Sequence, residues 1–268
     1  FAFFTFHRST LSGSDTARVA ARANDSSVCR LSGSADSLLA SRSSVRFNAN
    51  ARPSASSGTL SAIPRIAALW LINVASNRMP HGLMPLVVPQ LKTITLGGAV
   101  TGLGIESSSF RNGTPHESVL EMDVLTGDGR VVTCSRSQEP ELFTGFPNSY
   151  GTLGYALRLD IELEPVKPYV RLRHVPFADA AECARVIAQV CADGSYQGEP
   201  VDFVDGTVFT GREQYLTLAN WADTAPFTSD YTGNDIYYRS IQRRSVDYLT
   251  VRDYLWRWDT DWFWCSRA

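Results

Sequence analysis

Between Thr95 and Gly113 the chain places five glycines, Gly97, Gly98, Gly102, Gly104 and Gly113, with Ser107, Ser108 and Ser109 between the last two. Few side chains stand in the way of a close approach there. Glycine lets a backbone come near a ligand and adopt positive φ, and consecutive N–H groups of such a loop can point at a phosphate. The serine hydroxyls and Thr95 add donors. A plainer account, tight turns between small strands with no ligand, fits the spacing equally well. A dinucleotide fingerprint would require a third glycine opening a helix. After Gly102-Leu103-Gly104 that position is Ser107, and Ser108-Ser109-Phe110-Arg111-Asn112-Gly113 carries no amphipathic helical pattern.

The flanking sequence reads as α+β. The prolines of His81-Gly82-Leu83-Met84-Pro85 and Val88-Pro89-Gln90 impose an extended approach, with a loop following it. Val119–Leu125 and Arg130–Cys134 flank Gly127-Asp128-Gly129, which predicts a hairpin. Leu157, Leu159, Ile161 and Leu163 alternate with Arg158, Asp160, Glu162 and Glu164, so a strand with one buried and one wet face is expected, ended by Pro165 and Pro168. Tyr169–Val175 reads as a connecting run. A helix should start near Asp179, with Glu182 at capping-box spacing, and bury Cys183, Val186, Ile187, Val190 and Cys191. Gly194 is its expected stop, and Cys183 and Cys191 are expected as small core residues rather than reactive thiols. A further strand pair is expected around Asp202–Val208 and Tyr215–Leu218.

Charge divides the chain. Residues 1–78 hold nine Arg, no Lys and no Glu against three Asp, together with 16 Ser. Residues 79–268 hold 16 basic against 24 acidic residues, and the whole carries a formal net charge of -2. No sustained period of 2 or 3.6 runs through the first part. A transit peptide, a disordered extension and an out-of-frame translation joined near Met79 all accommodate that composition. The last is favoured, and with Phe1 at one end and Ala268 at the other, both ends are read as cut. No basic cluster interleaved with aromatics marks a nucleic-acid partner. The five cysteines, Cys29, Cys134, Cys183, Cys191 and Cys265, lack CxxC spacing and favour a reducing, cytoplasmic setting. The apolar run from Ile66 to Ala75 is about half the roughly 20 residues that a membrane span needs.

Thr95-Leu96-Gly97-Gly98, Gly102-Leu103-Gly104-Ile105-Glu106-Ser107-Ser108-Ser109, Gly127-Asp128-Gly129, Glu141-Leu142-Phe143 and Gly151-Thr152-Leu153-Gly154 occur in one order. In that order the chain resembles the vanillyl-alcohol-oxidase type (PCMH-type) of FAD-binding domain. The Gly-Ile-Glu-Ser-Ser-Ser run and the Gly-Thr-Leu-Gly turn are most similar to the delta(24)-sterol reductases (the seladin/DIMINUTO group) and their bacterial relatives. The resemblance covers residues 79–268 and is strongest from Pro80 to Arg173. It implies three parts: a non-matching 1–78, the second lobe of the FAD domain at 79–170, and part of a mixed α/β substrate domain at 171–268. It implies non-covalent FAD along Thr95, Leu96, Gly97, Gly98, Ala99, Val100, Thr101, Gly102, Leu103, Gly104, Ile105, Glu106, Ser107 and Ser108, bordered by Gly151, Thr152, Gly154 and Tyr155. The family's upstream pyrophosphate loop has no counterpart in residues 1–78, so a chain with one lobe is expected to hold FAD poorly or not at all. No upstream His stands in a context for covalent attachment, and His7 is isolated.

The resemblance further implies reduction of an isolated side-chain double bond of an apolar, sterol-like substrate. Hydride would come from reduced flavin, a proton from a protein acid, and electrons from NADPH or another donor. Tyr237, Tyr238 and Asp259 are candidate acids by residue type alone. Ten aromatics between Tyr231 and Trp264 form either core or an aromatic cleft. Asp259 and Asp261 could pair with Arg257 or Arg252. His81 and His116 read as structural. Glu106 is either an acceptor for local N–H groups or a group near the flavin. A hydroxy-acid or alcohol dehydrogenase would share the flavin domain and need cations such as Arg239, Arg243 and Arg244 in its cleft. An inactive fragment is the remaining alternative. Metal ligands are not expected, and the protein is placed in the cytoplasm or peripherally on a membrane.

Overall fold

The computed structural model describes residues 2–5, 43–48, 82–92, 94–232 and 235–259. The strands in chain order are β1 (Ala2–Thr5), β2 (Ser43–Asn48), β3 (Leu83–Pro85), β4 (Val119–Leu125), β5 (Val131–Ser135), β6 (Tyr155–Pro165), β7 (Tyr169–Phe177), β8 (Ser195–Tyr196), β9 (Glu199–Pro200), β10 (Phe203–Thr210), β11 (Glu213–Ala222) and β12 (Val246–Thr250). The helices are α1 (Leu96–Gly102), α2 (Ser109–Asn112), α3 (Pro140–Gly145), α4 (Ala180–Asp193), α5 (Tyr237–Ile241) and α6 (Val251–Leu255). This is a mixed α+β chain. It divides into a first unit, residues 42–104 and 114–164, and a second unit, residues 1–41, 105–113 and 165–268.

The first unit is built on the antiparallel order β2-β6-β4-β5, with β3 also on β6. The predicted hairpin is β4–β5. Its turn closes with Gly129 N–H donating to Thr126 O and Thr126 N–H to Arg130 O, at 2.9 Å each. Gly129 takes φ +84, which a side chain would resist. Met122, Val124, Cys134, Leu159, Ile161 and Leu163 face Leu96, Ala99 and Val100 of α1 and Phe143 of α3, forming one core. A fully buried residue such as Ile161 contributes roughly 1.5–3 kcal/mol. Burial also pushes the Cys134 thiol up to about 11, so it packs as a small apolar group.

The wet face expected of β6 is covered in part. Asp160 and Glu164 are buried. Arg158 explains Asp160: its guanidinium donates to Asp123 at 2.7 and 2.8 Å, to Glu121 at 2.6 Å and to Asp160 at 3.3 Å. Side chains that alternate as polar in the sequence therefore fold onto one another. Periodicity alone registers polarity, not pairing.

The second unit is built on the antiparallel order β1-β10-β11-β7-β12. Tyr169–Val175, expected as a connection, is instead most of the interior strand β7, paired with β11 on one side and β12 on the other. Its cationic positions Arg171 and Arg173 masked the alternation, because both are held by Glu199 at 2.6 and 3.2 Å. The pair predicted around Asp202–Val208 and Tyr215–Leu218 is β10–β11. Helix α4 follows its sequence closely: Asp179 accepts from Glu182 N–H, Cys183, Ile187, Val190 and Cys191 are buried, and Gly194 closes it at φ 64. Asp179→Ala should lower stability by about 1 kcal/mol, read from urea unfolding of both forms; an unchanged midpoint would exclude the cap's role.

Within residues 1–78 the described stretches are paired strands. β1 joins β10 and β2 joins β6, both antiparallel. Reading 1–78 as lacking organised structure differs from this at those two stretches, since edge pairing is made by backbone groups and leaves little trace in side-chain pattern. Among the described residues no helix is long and apolar enough to cross a membrane, and no group of His, Cys, Asp and Glu could hold a metal ion.

Candidate cofactor and substrate sites

Thr93 lies outside the described residues. From Thr95 onward the expected loop is in fact the helix α1. Thr95 caps it, its Oγ1 accepting from Gly98 N–H at 3.0 Å, and Thr101 Oγ1 donates back to Gly97 O at 2.9 Å. Leu96, Ala99 and Val100 supply a buried stripe. Low glycine propensity obscured that stripe in the sequence. Ala99 and Gly104 also direct their N–H groups at Thr95 O and Ala99 O, so several donors of the run serve the fold. The glycines differ in their surroundings. A Cβ on Gly98 would meet Thr95 Oγ1 at 2.9 Å, one on Gly97 would touch Ala156 at 3.5 Å, and one on Gly104 would touch Pro89 and Pro115 at 3.7 Å. On Gly102 it would meet nothing within 4 Å.

Ile105, Glu106, Ser107 and Ser108 belong to the second unit, so the predicted cofactor run is divided between the two units. Ser107 carbonyl accepts from Val204 N–H at 2.8 Å, and its hydroxyl meets Tyr254 Oη at 2.9 Å. Glu106 N–H donates to Ser109 Oγ at 2.9 Å. Phe110 packs with Val204, Leu216 and Leu218, and Arg111 Nε donates to Asp202 O at 2.9 Å. Residues Ser109–Asn112, read as non-helical, form the single turn α2, too short to need an amphipathic pattern. The hydroxyls of Ser107 and Ser109 are thus engaged inside their own unit.

The turn before β6 is conformationally unusual. Asn148, Tyr150 and Gly151 have φ of 59, 49 and 83, and Gly154 has φ 134. A tyrosine in the left-handed region is an outlier of the kind that clusters at functional sites. Tyr150 N–H donates to Thr101 O at 3.2 Å, which ties this turn to the end of α1. Tyr150, Leu153 and Tyr155 are exposed at 75%, 42% and 69%. Gly151, like Gly102, has open space where a side chain would stand, whereas Gly154 does not: its Cβ would lie 2.2 Å from Leu125 O. Thr152 Oγ1 is used locally, donating to Ser149 O at 2.7 Å. Tyr150 escaped the sequence reading. An aromatic directly ahead of Gly151 was the available signal. Tyr150, Leu153 and Tyr155 thus leave apolar side chains exposed on the turn that carries Gly151.

In the second unit the aromatics form core. Tyr237, Tyr254, Trp256 and Trp258 are buried, with Tyr237 edge-on to Trp258 at 4.7 Å and to Tyr231 at 5.3 Å. Of the two readings, core or cleft, the described aromatics fit the first; Asp261, Trp262, Phe263 and Trp264 lie outside the described residues. Arg257 is bound by Asp205, which pairing with Asp259 or Asp261 did not anticipate, and stacks 3.9 Å from the Tyr254 ring. Sequence separation hid this partner. Burial raises the Tyr237 hydroxyl above its ordinary value, while Tyr238 is only half-buried. Arg239, Arg243 and Arg244 are exposed, and Arg244 reaches Ser229 and Asp247 at 3.0 and 3.4 Å. His116 Nδ1 shares a hydrogen bond with Thr114 Oγ1 at 2.6 Å, a structural role; His81 lies outside the described residues.

His174 is the histidine that sequence reasoning passed over. It sits on β7, 3% exposed, with Nδ1 2.8 Å from Thr217 Oγ1. Burial lowers it to about 4 from 6.5, with Arg257 and Arg244 adding to that effect and Asp247 opposing it. The unfolded chain therefore takes up the proton first as pH falls from 6.5 toward 4, and the fold loses stability through that window. The loss should reach ~3 kcal/mol, and His174→Gln should flatten it in urea titrations at both ends. Equal pH dependence in the two proteins would contradict this.

No family model matches the chain. Its sequence is similar to proteins of one broad kind, dehydrogenases and reductases. Cytokinin dehydrogenase 6 of Oryza sativa subsp. japonica is 32% identical over 188 residues, covering 67% of this chain and 34% of the relative. Delta(24)-sterol reductase of Homo sapiens is 29% identical over 192 residues, covering 66% and 36%. Cytokinin dehydrogenase 2 of Oryza sativa subsp. japonica is 36% identical over 147 residues, covering 52% and 26%. The chain thus spans about a third of the length of the first two relatives, 34% and 36%.

Proposed function

We propose that this chain is the second lobe of a PCMH-type FAD-binding domain with part of its substrate domain, in an FAD-dependent oxidoreductase that reduces a carbon–carbon double bond of an apolar, sterol-like substrate. Bound flavin would supply hydride chemistry. Gly102, Gly151 and the exposed faces of Tyr150 and Tyr155 would hold it non-covalently, with NADPH or another donor supplying electrons. Ile105, Glu106, Ser107 and Ser108 fall in the second unit, where the hydroxyls of Ser107 and Ser109 are engaged.

The observation that favours an apolar substrate over a hydroxy acid is the placement of the arginines. Arg239, Arg243 and Arg244 lie on the exposed surface, and the buried Arg257 is already neutralised by Asp205. A carboxylate substrate would require an unopposed cation in a dry site. Two anaerobic incubations with FAD test the choice, run with the purified chain at concentrations high enough to offset the weak affinity expected of one lobe. Photoreduced flavin should be reoxidised by a sterol olefin, and oxidised flavin should not be bleached by D-lactate. The reverse pair of results would favour the hydroxy-acid enzyme, and silence in both would defeat the reading.

A further inference from the structure

The sheet of the second unit has two unlike faces. One carries Val204, Leu216 and Leu218 against α4. On the other, Asp205 of β10, Thr217 of β11 and His174 of β7 stand directly opposite one another in a single cross-strand row. Thr207, two residues from Asp205, projects from that face too. Asp205, Thr207, Thr217 and His174 are between 1% and 3% exposed. Arg257, also 3% exposed, reaches down to Asp205 from the covering segment. Polar side chains in a row this deep are unusual, since burying each one costs free energy unless it is hydrogen-bonded.

Four atoms of this group have no hydrogen-bond partner among the described residues: Asp205 Oδ1, Thr207 Oγ1, His174 Nε2 and Arg257 Nε. Each carries the desolvation cost of a buried polar atom if left so. Folded proteins keep few such atoms, and each calls for an explanation in a bound group, ordered water or function. They belong to one neighbourhood. Asp205 holds Arg257, Thr217 holds His174, and the Tyr237 ring lies between them, 5.4 Å from the guanidinium carbon and 6.1 Å from the imidazole.

We propose that Asp205, Arg257, Thr207 and His174 form a recognition site for a hydroxyl group on an otherwise apolar, uncharged ring substrate. This rests on the reading given above and names the polar end of that substrate. Charge decides the class of ligand. An anion would be repelled by Asp205, and an ammonium by Arg257. A hydroxyl donates to Asp205 Oδ1 and accepts from Arg257 Nε–H, satisfying both at once. His174, neutral at ordinary pH because it is buried, adds no charge that would alter this balance. The rings of Tyr237, Trp256 and Trp258, buried in the same unit, would give the ligand its apolar surroundings. Trp256, Arg257 and Trp258 all come from the short stretch that follows α6, so on this proposal a ligand would enter by displacing side chains of that stretch.

The test uses tryptophan fluorescence of the full chain, which needs neither flavin nor turnover. The probes are a sterol olefin bearing a ring hydroxyl, the same sterol without it, and its sulfate ester. The hydroxylated sterol should bind at least about tenfold more tightly than the deoxy form, and the sulfate should bind more weakly than either. Thr207→Val and Asp205→Asn should each reduce the hydroxyl's advantage to about threefold or less, the former being the variant with the smaller effect on folding. Equal affinity for hydroxylated and deoxy sterols overturns the site while leaving a sterol substrate standing. If no sterol binds but cyclohexanol quenches where methylcyclohexane does not, the site stands and the sterol reading falls. No quenching by cyclohexanol, or equal quenching by both probes, overturns the site.

Discussion

Replacing Arg257 by Met should destabilise the second unit by about 3–5 kcal/mol, the cost of leaving a buried carboxylate without its partner. Asp205 is 1% exposed, and burial pushes its carboxyl above the ordinary range while Arg257 draws it back. The same guanidinium donates to Tyr254 O at 2.6 Å and stacks on the Tyr254 ring, whose hydroxyl meets Ser107. One side chain therefore ties the covering segment, the sheet and the Ile105–Gly113 segment together. Asp205→Leu combined with Arg257→Met should recover much of the loss, because an apolar pair of similar volume avoids desolvating two charges. Urea unfolding of the single and double variants reads both effects. A double variant as unstable as the single would show that the polar atoms serve the fold in ways beyond their mutual charge.

Gly154→Ala should be comparably damaging to the first unit. The residue has φ 134, and an added Cβ would lie 2.2 Å from Leu125 O and 3.0 Å from Val124 Cγ1. Those atoms belong to β4, so relief requires separating β6 from β4 just where Tyr155 pairs with Leu125. Backbone strain and overpacking together should cost at least about 3 kcal/mol. Gly102→Ala, by contrast, meets open space at the end of α1 and should stabilise by about 0.5–1 kcal/mol. Comparable unfolding midpoints for the two variants would contradict this division between a glycine the fold requires and one that leaves a surface open.

The contrast shows where sequence was informative. Helix α4 was legible because capping residue, apolar stripe and stopping glycine all agree, and the β4–β5 hairpin because turn chemistry and β-rich flanks agree. Helix α1 was not, since its Gly-Gly pair lowers helical propensity while Thr95 and three buried apolar residues restore it through capping and packing. Strand β7 was hidden by arginines whose partner, Glu199, lies more than twenty residues away. At the candidate sites the sequence grouped Gly98, Gly102, Gly151 and Gly154 alike, and in the structure Gly102 and Gly151 have open space where a side chain would stand. It could not separate them from Gly98 or Gly154, whose lack of a side chain is demanded by Thr95 and Leu125. Nor could it find the Asp205–Thr217–His174 row, which exists only once three strands are in register.

Titration of FAD with the purified chain and with Gly102→Val tests the central claim most directly. If the end of α1 and the Tyr150–Tyr155 turn receive the flavin ring, the chain should bind it weakly, as a single lobe would, and at high protein concentration quench flavin fluorescence and perturb its visible spectrum. Gly102→Val, folded as stably as the parent, should abolish both changes. No perturbation by the parent chain, or the same perturbation by the two proteins, would contradict a flavin site there.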